Sequence, residues 1–260
     1  MILAIALTIA GSDSGGGAGI QADLKAFSAM GVYGCSVVTA VTAQNTRDVT
    51  MVHAIPDDVV AGQIAAILDD IAVDAIKIGM LGSPSLIETV AHSLRNFDGP
   101  VVLDPVMIAK SGVALLADHS VGALKKHLLP RATLVTPNLP EATKLVGNGE
   151  ALDQSDRLLS LGSKAVLMKG GHANEEICTD WLSSADYSVQ LAAPRIDTTN
   201  THGTGCSYSS AITAGLSKGW SLPYATRVAH GWLHQAILRA DELNVGQGHG
   251  PVHHFHGMWA

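Results

Sequence analysis

The chain has 260 residues, of which 47% are hydrophobic and 15% are charged, and its formal net charge is −7 at pH 7. This composition excludes a disordered chain or a coiled coil and favours a compact body with deeply buried elements. The negative charge argues against a general nucleic-acid binder, which would need a clustered basic surface. No linker, charge block or repeat divides the chain. We therefore predict a single domain over residues 1–260.

The cysteines and the N-terminus indicate the cellular compartment. Cys35, Cys178 and Cys206 are widely separated and lack metal-site spacing, which suits a reducing cytoplasm. Residues 1–10 are apolar but have no basic residue before them and no export-type cleavage site after them, so they predict a buried strand. No apolar run approaches the ~20 residues of a membrane span. We expect a soluble cytoplasmic protein that binds neither membrane nor nucleic acid.

Short apolar runs alternate along the chain with longer helix-like stretches. The predicted strands are residues 3–10, 36–42, 75–79, 101–104, 134–136 and 165–169. The helices predicted between them are residues 19–30, 57–70, 84–96, 113–129 and 139–146. A hairpin at residues 177–182 and 187–192 follows, and the last predicted helices are residues 206–218 and 222–243. The alternation predicts an α/β fold, a three-layer α/β/α sandwich whose mostly parallel sheet carries an antiparallel hairpin at its edge.

A glycine-rich segment, residues 11–23, follows the first predicted strand. Residues 17–22 fit the dinucleotide pattern GxGxxA, but the second strand ends near Gln44 and Asn45, where a dehydrogenase would need an acid for the ribose. No Lys-Ser or Lys-Thr follows the glycines, so a Walker A loop is excluded. The segment therefore predicts a flexible loop whose exposed backbone N–H groups face a polar ligand.

A second glycine turn lies late in the chain, directly before an apolar helix. Gly203 and Gly205 allow the backbone N–H groups around Thr204 to converge on one point, and the helix N-terminus adds partial positive charge. Such a nest can hold a transferring phosphoryl group. The same field lowers a thiol pKa, so Cys206 is the cysteine placed to be reactive.

Three charged residues follow other predicted strands. Asp104 comes after residues 101–103, Glu141 lies shortly after residues 134–136, and Lys169 ends the strand at residues 165–169. The C-terminal ends of parallel strands meet at one crevice, so these side chains are expected to lie close together. Carboxylates there suit Mg²⁺, and the lysine suits nucleotide phosphates.

With these features together, the chain resembles the ribokinase-like superfamily and, more narrowly, the bacterial hydroxymethylpyrimidine/phosphomethylpyrimidine kinases of thiamine biosynthesis. The similar segments span nearly the whole chain in order: GSDSGGGAGIQADLK at residues 11–25, TAVTAQNT at 39–46, IKIGMLG at 76–82, DPVMIAKSG at 104–112, TPNLPEA at 136–142, MKGGH at 168–172 and THGTGCS at 201–207. Ser207 departs from the threonine expected at its position. The resemblance implies a ribokinase-like fold, ATP and Mg²⁺, and two successive phosphorylations of an aminopyrimidine.

The resemblance also assigns roles to residues. It implies that Gln44 recognises the pyrimidine, whose amino edge an amide can match as donor and acceptor. Asp104 and Glu141 match the magnesium motifs, and the nucleotide side is matched by Lys169, Asn138 and Glu141. The segments that line the substrate pocket carry Gly11, Asp23, Met80 and Val106.

Most ribokinase-like enzymes carry an aspartate as general base at the position of Cys206, and this branch carries cysteine. Two hypotheses follow: the Cys206 thiolate accepts the hydroxyl proton, or Cys206 helps Gly203, Thr204 and Gly205 hold phosphate. Residues 109–112 are the best candidate for a mobile lid, because they are small and include Lys110.

Alternatives remain open from the sequence. A pyridoxal or pyridoxine kinase of the same branch shares the late turn, and a non-catalytic pyrimidine-phosphate-binding protein represents a different class. The charged set argues against the non-catalytic reading, since a sensor needs no metal–nucleotide site. The histidines at residues 249–256 predict a tail packed on the last helix rather than a metal site. A homodimer is expected by analogy with the superfamily.

Overall fold

The structure is a computed structural model that describes residues 3–107, 120–171 and 176–259. Its nine strands are β1 (Ile5–Asp13), β2 (Tyr33–Gln44), β3 (Val49–Ala54), β4 (Ala75–Ile78), β5 (Val101–Leu103), β6 (Leu134–Val135), β7 (Ala165–Met168), β8 (Ile177–Ser184) and β9 (Ser188–Pro194). They form one sheet in the order β3-β2-β1-β4-β5-β6-β7-β8-β9. The strands from β2 to β7 in this order are parallel, whereas β3, β8 and β9 are antiparallel. The mostly parallel sheet with an antiparallel edge hairpin is thus confirmed.

The described helices are α1 (Gly19–Ala29), α2 (Asp57–Leu68), α3 (Pro84–Ser93), α4 (Ser120–His127), α5 (Leu139–Val146), α6 (Ala151–Ser160), α7 (Thr204–Ser217) and α8 (Leu222–Leu238). Two short 3-10 turns, Leu129–Arg131 and Ala240–Leu243, follow α4 and α8. None of the helices in the described ranges is long and apolar enough to cross a membrane.

Alternate residues of the strands enter separate hydrophobic clusters on the two faces of the sheet. Leu103 packs with the cluster formed by α2 to α6, whereas its neighbour Val102 packs with α7 and α8. In β1, Leu7 joins the first cluster and Ala6 contacts Phe27 of α1 in a third. Because successive strand side chains point to opposite faces, continuous apolar strands require helices on both faces.

Several elements differ from the sequence prediction. The second strand was expected to end at residue 42, but β2 continues to Gln44, turns at residues 45–48, and pairs with β3 as an antiparallel hairpin at the other sheet edge. The helix α6 was not predicted, because it is short and largely polar. The last predicted helix ends at Leu238 rather than at residue 243. The predicted lid at residues 109–112 and the start of the helix predicted at residues 113–129 lie outside the described residues.

The contact between α7 and α8 provides a stability test with a matched control. A methyl group at Gly215 of α7 would lie 2.7 Å from Cβ of Ala225, whereas one at Gly231 of α8 would meet nothing within 4 Å. Gly215→Ala should lower the free energy of unfolding by about 1–3 kcal/mol through overpacking. Gly231→Ala should raise it by about 0.5–1 kcal/mol, because alanine loses less backbone entropy on folding. Urea unfolding measures both, and equal effects of the two substitutions would contradict the packing described.

Candidate active site

A cavity of about 780 Å³ opens at the C-terminal ends of the parallel strands. Most of the residues singled out from the sequence line it: Gly11, Gln44, Met80, Asp104, Val106, Asn138, Glu141, Lys169, Gly203, Thr204, Gly205 and Cys206. They come from positions far apart in the chain, so the topology brings the two glycine turns and the charged residues to one site. Asp23 is the exception, because its side chain is fully buried away from the cavity.

The first glycine turn is closed around its own carboxylate. The Asp13 side chain accepts backbone N–H groups from Gly15 at 2.8 Å, Gly17 at 3.0 Å and Ala18 at 2.8 Å. Burial acts to raise the pKa of Asp13, but the hydrogen bonds from His202 and Ala18 outweigh it and lower the pKa. The sequence prediction that these N–H groups face a ligand is therefore wrong. The Asp13 carboxylate accepts these N–H groups, so the turn has a structural role.

The second glycine turn packs directly on the first. Gly203 has φ +77°, in the left-handed region, and a methyl group there would overlap the carbonyl oxygen of Gly17. Both constraints require glycine. Gly203 is also the N-cap of α7, so the first N–H groups of this helix have no acceptor within it. The Thr204 N–H donates to the Thr201 carbonyl at 3.3 Å, and Gly205 and Cys206 of the same turn line the cavity. This arrangement suits an anion.

The second glycine turn also reaches the first through His202. Its Nε2 atom lies 2.9 Å from Oδ2 of Asp13 and 3.3 Å from the amide nitrogen of Gln44. An ionised carboxylate can only accept hydrogen bonds, so Nε2 of His202 carries a proton and its N–H group donates a hydrogen bond to Asp13. The same nitrogen then cannot accept from Gln44. Within the described residues, the Gln44 amide N–H is therefore available to a ligand in the cavity.

Lys169 and Asp104 form the charged end of the cavity. Nζ of Lys169 lies 2.8 Å from Oδ1 of Asp104, which also accepts the Thr136 hydroxyl at 2.9 Å. Burial acts to raise the pKa of Asp104, but the charges of Lys169 and Lys77 outweigh it and lower the pKa. For Lys169, burial acts to lower the pKa, but the charges of Asp104 and Glu141 outweigh it and raise the pKa. Both groups are charged at neutral pH.

Glu141 lies beside this pair, and its pKa is raised, whereas that of Asp104 is lowered. It forms a capping box with Asn138, in which the Glu141 carboxylate accepts the Asn138 N–H at 2.8 Å and the Asn138 side chain accepts the Glu141 N–H at 2.8 Å. Burial raises the pKa of Glu141 to about 7, while Lys169 opposes the shift and Asp104 adds to it. Two neighbouring carboxylates, one of them readily deprotonated, are hard oxygen donors that fit Mg²⁺.

Beneath the cavity lies a fully buried ion pair. Lys77 of β4 places Nζ 2.9 Å from Oδ2 of Asp23 of α1, and both side chains are 0% exposed. Asp23 also accepts the hydroxyl groups of Thr8 at 2.6 Å and Ser210 at 2.7 Å. The pair therefore joins β1, β4, α1 and α7. Asp23, which the resemblance placed in the substrate-lining segments, supports the cavity floor from below.

Cys206 does not have the lowered thiol pKa expected from its place near a helix N-terminus. Burial raises the pKa of Cys206 to about 11, the charge of Lys77 opposes the shift, and Asp23 and Asp104 add to it. The desolvation of the thiol and the nearby carboxylates together outweigh the helix field. In the protein without ligand the thiol is protonated at neutral pH.

Sequence reasoning did not assign roles to Asp13, Lys77 or His202. A detectable signal existed for Lys77, because a single lysine between Ile76 and Ile78 in an apolar strand needs a buried counter-charge. No comparable local signal marks Asp13 or His202, since their contact joins residues 189 positions apart.

Comparisons with known proteins show which family the chain is similar to. The family model described as phosphomethylpyrimidine kinase matches residues 13–253. The hydroxymethylpyrimidine/phosphomethylpyrimidine kinase of Rhizobium meliloti is 52% identical, and that of Escherichia coli is 49% identical, each over 98% of both chains.

Solved structures of three related kinases superpose on the chain. Pyridoxal kinase from Bacillus subtilis, solved as an ADP complex, is 36% identical with a TM-score of 0.91 and covers 100% of both chains. Phosphomethylpyrimidine kinase from Clostridium difficile is 41% identical with a TM-score of 0.80, covering 90% of this chain and 99% of that one. Pyridoxal kinase from Staphylococcus aureus, in complex with AMP-PCP and pyridoxal, is 32% identical with a TM-score of 0.90, over 99% and 96% of the chains.

The buried pair should contribute far more to stability than an exposed pair of similar length. Asp23→Asn leaves the Lys77 ammonium without its counter-charge and should lower the free energy of unfolding by about 3–5 kcal/mol. Glu242→Gln breaks the 2.8 Å exposed pair with Arg239 and should leave stability nearly unchanged. Chemical denaturation compares the two. Adding Lys77→Met to Asp23→Asn should recover part of the loss, and a further loss would show that Lys77 is neutralised elsewhere.

Proposed function

The chain belongs to the phosphomethylpyrimidine kinase family, and from this we propose that its cavity phosphorylates 4-amino-5-hydroxymethyl-2-methylpyrimidine and then the resulting monophosphate, for thiamine biosynthesis. The observation that carries the proposal is one cavity with two chemically different ends. An available amide donor, Gln44, marks one end, and the Asp104–Lys169 pair beside the α7 N-terminus marks the other. Relatives named hydroxymethylpyrimidine/phosphomethylpyrimidine kinase are about half identical to the chain over nearly its full length.

The residues divide the work between the two ends. The Gln44 amide orients the aminopyrimidine edge, with Gly11, Met80 and Val106 shaping the surrounding wall. The N–H groups of the turn from Gly203 to Cys206 hold the transferring phosphoryl group and receive the charge that spreads over its oxygens. Holding both reactants in one cavity replaces a bimolecular encounter with an oriented one.

Membership in a kinase family implies ATP as the phosphoryl donor. We place its phosphates against Lys169 and the α5 N-terminus with Asn138 and Glu141, because all three residues line the charged end. Asp104 and Glu141 would hold Mg²⁺ through their carboxylate oxygens. Bound there, Mg²⁺ would neutralise negative charge on the phosphate oxygens.

Cys206 is proposed as a member of the phosphate nest rather than as the base. A thiol with a pKa of about 11 holds its proton at neutral pH, which opposes a thiolate role in the free site. The position of Cys206 in the first turn of α7 supports the nest role directly.

Pyridoxal is the second candidate acceptor. The close overlap with pyridoxal kinases favours it, since both substrates carry a hydroxymethyl group on an aromatic ring. The greater identity to hydroxymethylpyrimidine/phosphomethylpyrimidine kinases favours the pyrimidine. The non-catalytic reading has no support, because the relatives carry kinase names over the full chain.

Three broader features are also proposals. One sheet contains all nine described strands, from Ile5 to Pro194, and α7 and α8 after it pack on that sheet, which supports a single domain over residues 1–260. The edge strand β3 exposes Met51 at 69% and Val52 at 46%, and an unpaired apolar edge supports a homodimer. The cysteines described are free, which is consistent with a cytoplasmic location.

A substrate comparison tests the main proposal. ATP consumption should be fast with hydroxymethylpyrimidine and Mg²⁺ and slower with pyridoxal. It should be negligible when no acceptor is added. Asp104→Asn removes a metal donor and should lower kcat by about 100-fold. The exposed substitution Asp186→Asn serves as a control, because Asp186 lies in the distant β8–β9 turn. Absence of pyrimidine-dependent consumption at any Mg²⁺ concentration would refute the proposal.

The role of Cys206 has a separate pH test. Both pH 7 and pH 9 lie below the thiol pKa of about 11, so the thiolate fraction would rise about tenfold per pH unit across this range. If Cys206 acts only in the nest, Cys206→Ala should lower kcat by the same factor at both pH values. A deficit about 100-fold larger at pH 9 would instead identify a thiolate base.

A further inference from the structure

The C-terminal strap, residues 246–252, contacts two segments of the cavity wall, the one that carries Gln44 and the one that carries the second glycine turn. The Thr46 hydroxyl, two residues after Gln44, accepts the backbone N–H of Gly248 at 3.1 Å, and the Thr46 carbonyl accepts that of His249 at 2.8 Å. Further along, the carbonyl of Gly250 accepts the backbone N–H of His202 at 3.0 Å. The strap therefore bonds next to Gln44 and next to Gly203, which both line the cavity, although the strap itself lies outside the cavity wall.

Three alternating glycines allow this close approach. A methyl group at Gly246 would overlap the Thr46 side chain, one at Gly248 would overlap the Thr46 carbonyl oxygen, and one at Gly250 would overlap the Asn200 side chain. Gly248 does not have positive φ, so its restriction comes from the neighbouring backbone rather than from its own conformation. Residues 250–254 are buried, which indicates that this part of the tail is fixed in place.

The tail also bonds to α7 itself. Nε2 of His254 lies 2.8 Å from the hydroxyl of Ser207, which is the residue after Cys206. The tail was predicted to pack on the last helix, and the contact of His253 N–H with the Ala236 carbonyl does place it there. Within the described part of the chain, His253 and His254 thus fix the tail to α8 and α7 through these hydrogen bonds.

We propose that the strap is a positioning element for the acceptor substrate, a role that rests on the proposed function. By bonding to Thr46 and to His202, it sets the separation between the Gln44 amide and the second glycine turn. The 3.3 Å approach of Gln44 to His202 is the geometry that the strap maintains. Loosening it should weaken binding of the aminopyrimidine and leave the ATP end, held by β5, β7 and α5, unchanged.

Two glycines of the same tail provide a matched pair of variants. Gly248→Ala forces the strap away from Thr46, whereas Gly257→Ala adds a methyl group with nothing within 4 Å. We expect Gly248→Ala to raise KM for hydroxymethylpyrimidine at least tenfold, with KM for ATP changed less than twofold. Gly257→Ala should match the unsubstituted protein in both constants. Equal rises of both KM values, or no rise in the pyrimidine KM, would overturn the positioning role.

Thr46→Val provides a second route if Gly248→Ala fails to fold. Valine keeps the shape of threonine but removes the oxygen that accepts the Gln247 and Gly248 N–H groups. The same selective rise in pyrimidine KM is expected, and an unchanged KM would count against the strap.

Amide hydrogen exchange tests the strap without relying on activity. Exchange in residues 42–49 should be faster in Thr46→Val than in Gly257→Ala, and unchanged exchange would refute the strap. If the unsubstituted protein consumes no ATP with the pyrimidine, the proposed function fails, while the exchange result still decides whether the strap holds the Gln44 segment.

Discussion

A lysine buried in the middle of the sheet imposes the constraint on which the site depends. Lys77 is 0% exposed in β4, where an unpaired ammonium would be strongly unfavourable. Asp23 of α1 neutralises it, and Thr8 of β1 and Ser210 of α7 donate to the same carboxylate. One buried charge therefore aligns two strands and two helices. Because α7 is one of them, its N-terminus is held at the cavity.

The two glycine turns look alike in the sequence but have opposite uses. In the first turn, Asp13 accepts three backbone N–H groups, so the turn is rigid and its polar groups are satisfied. In the second, Gly205 and Cys206 at the start of α7 line the cavity, and the N–H groups of this first turn have no acceptor within the helix. His202 connects the two turns by donating to Asp13, and this leaves the Gln44 amide free to recognise a ligand. The first turn, whose N–H groups are bonded to Asp13, thus supports a binding site whose donors remain available to a ligand.

The charged end combines an ion pair with a second carboxyl group whose pKa is raised by burial. Lys169 pairs with Asp104, while Glu141 has a pKa of about 7 because it is buried beside another carboxylate. A cation would favour the ionised form of Glu141, and phosphate oxygens would attract Lys169. Preorganised charges of this kind need little rearrangement when the reactants arrive. The high thiol pKa of Cys206 belongs to the same balance, since the neighbouring carboxylates disfavour a further negative charge.

The sequence by itself determined the alternating α/β architecture, the edge hairpin and the cluster of charged residues after strands, because these depend on local periodicity and on the rule that parallel strands end at one edge. The sequence did not determine which partners the hydrogen-bonding groups would find. Whether backbone N–H groups near Gly17 meet a ligand or Asp13 depends on side-chain geometry within the folded turn. The buried position of Asp23, the raised pKa of Cys206 and the strap on Thr46 arise from residues distant in sequence. Only the tertiary structure decided them, because desolvation and long-range contacts have no signature in a local pattern.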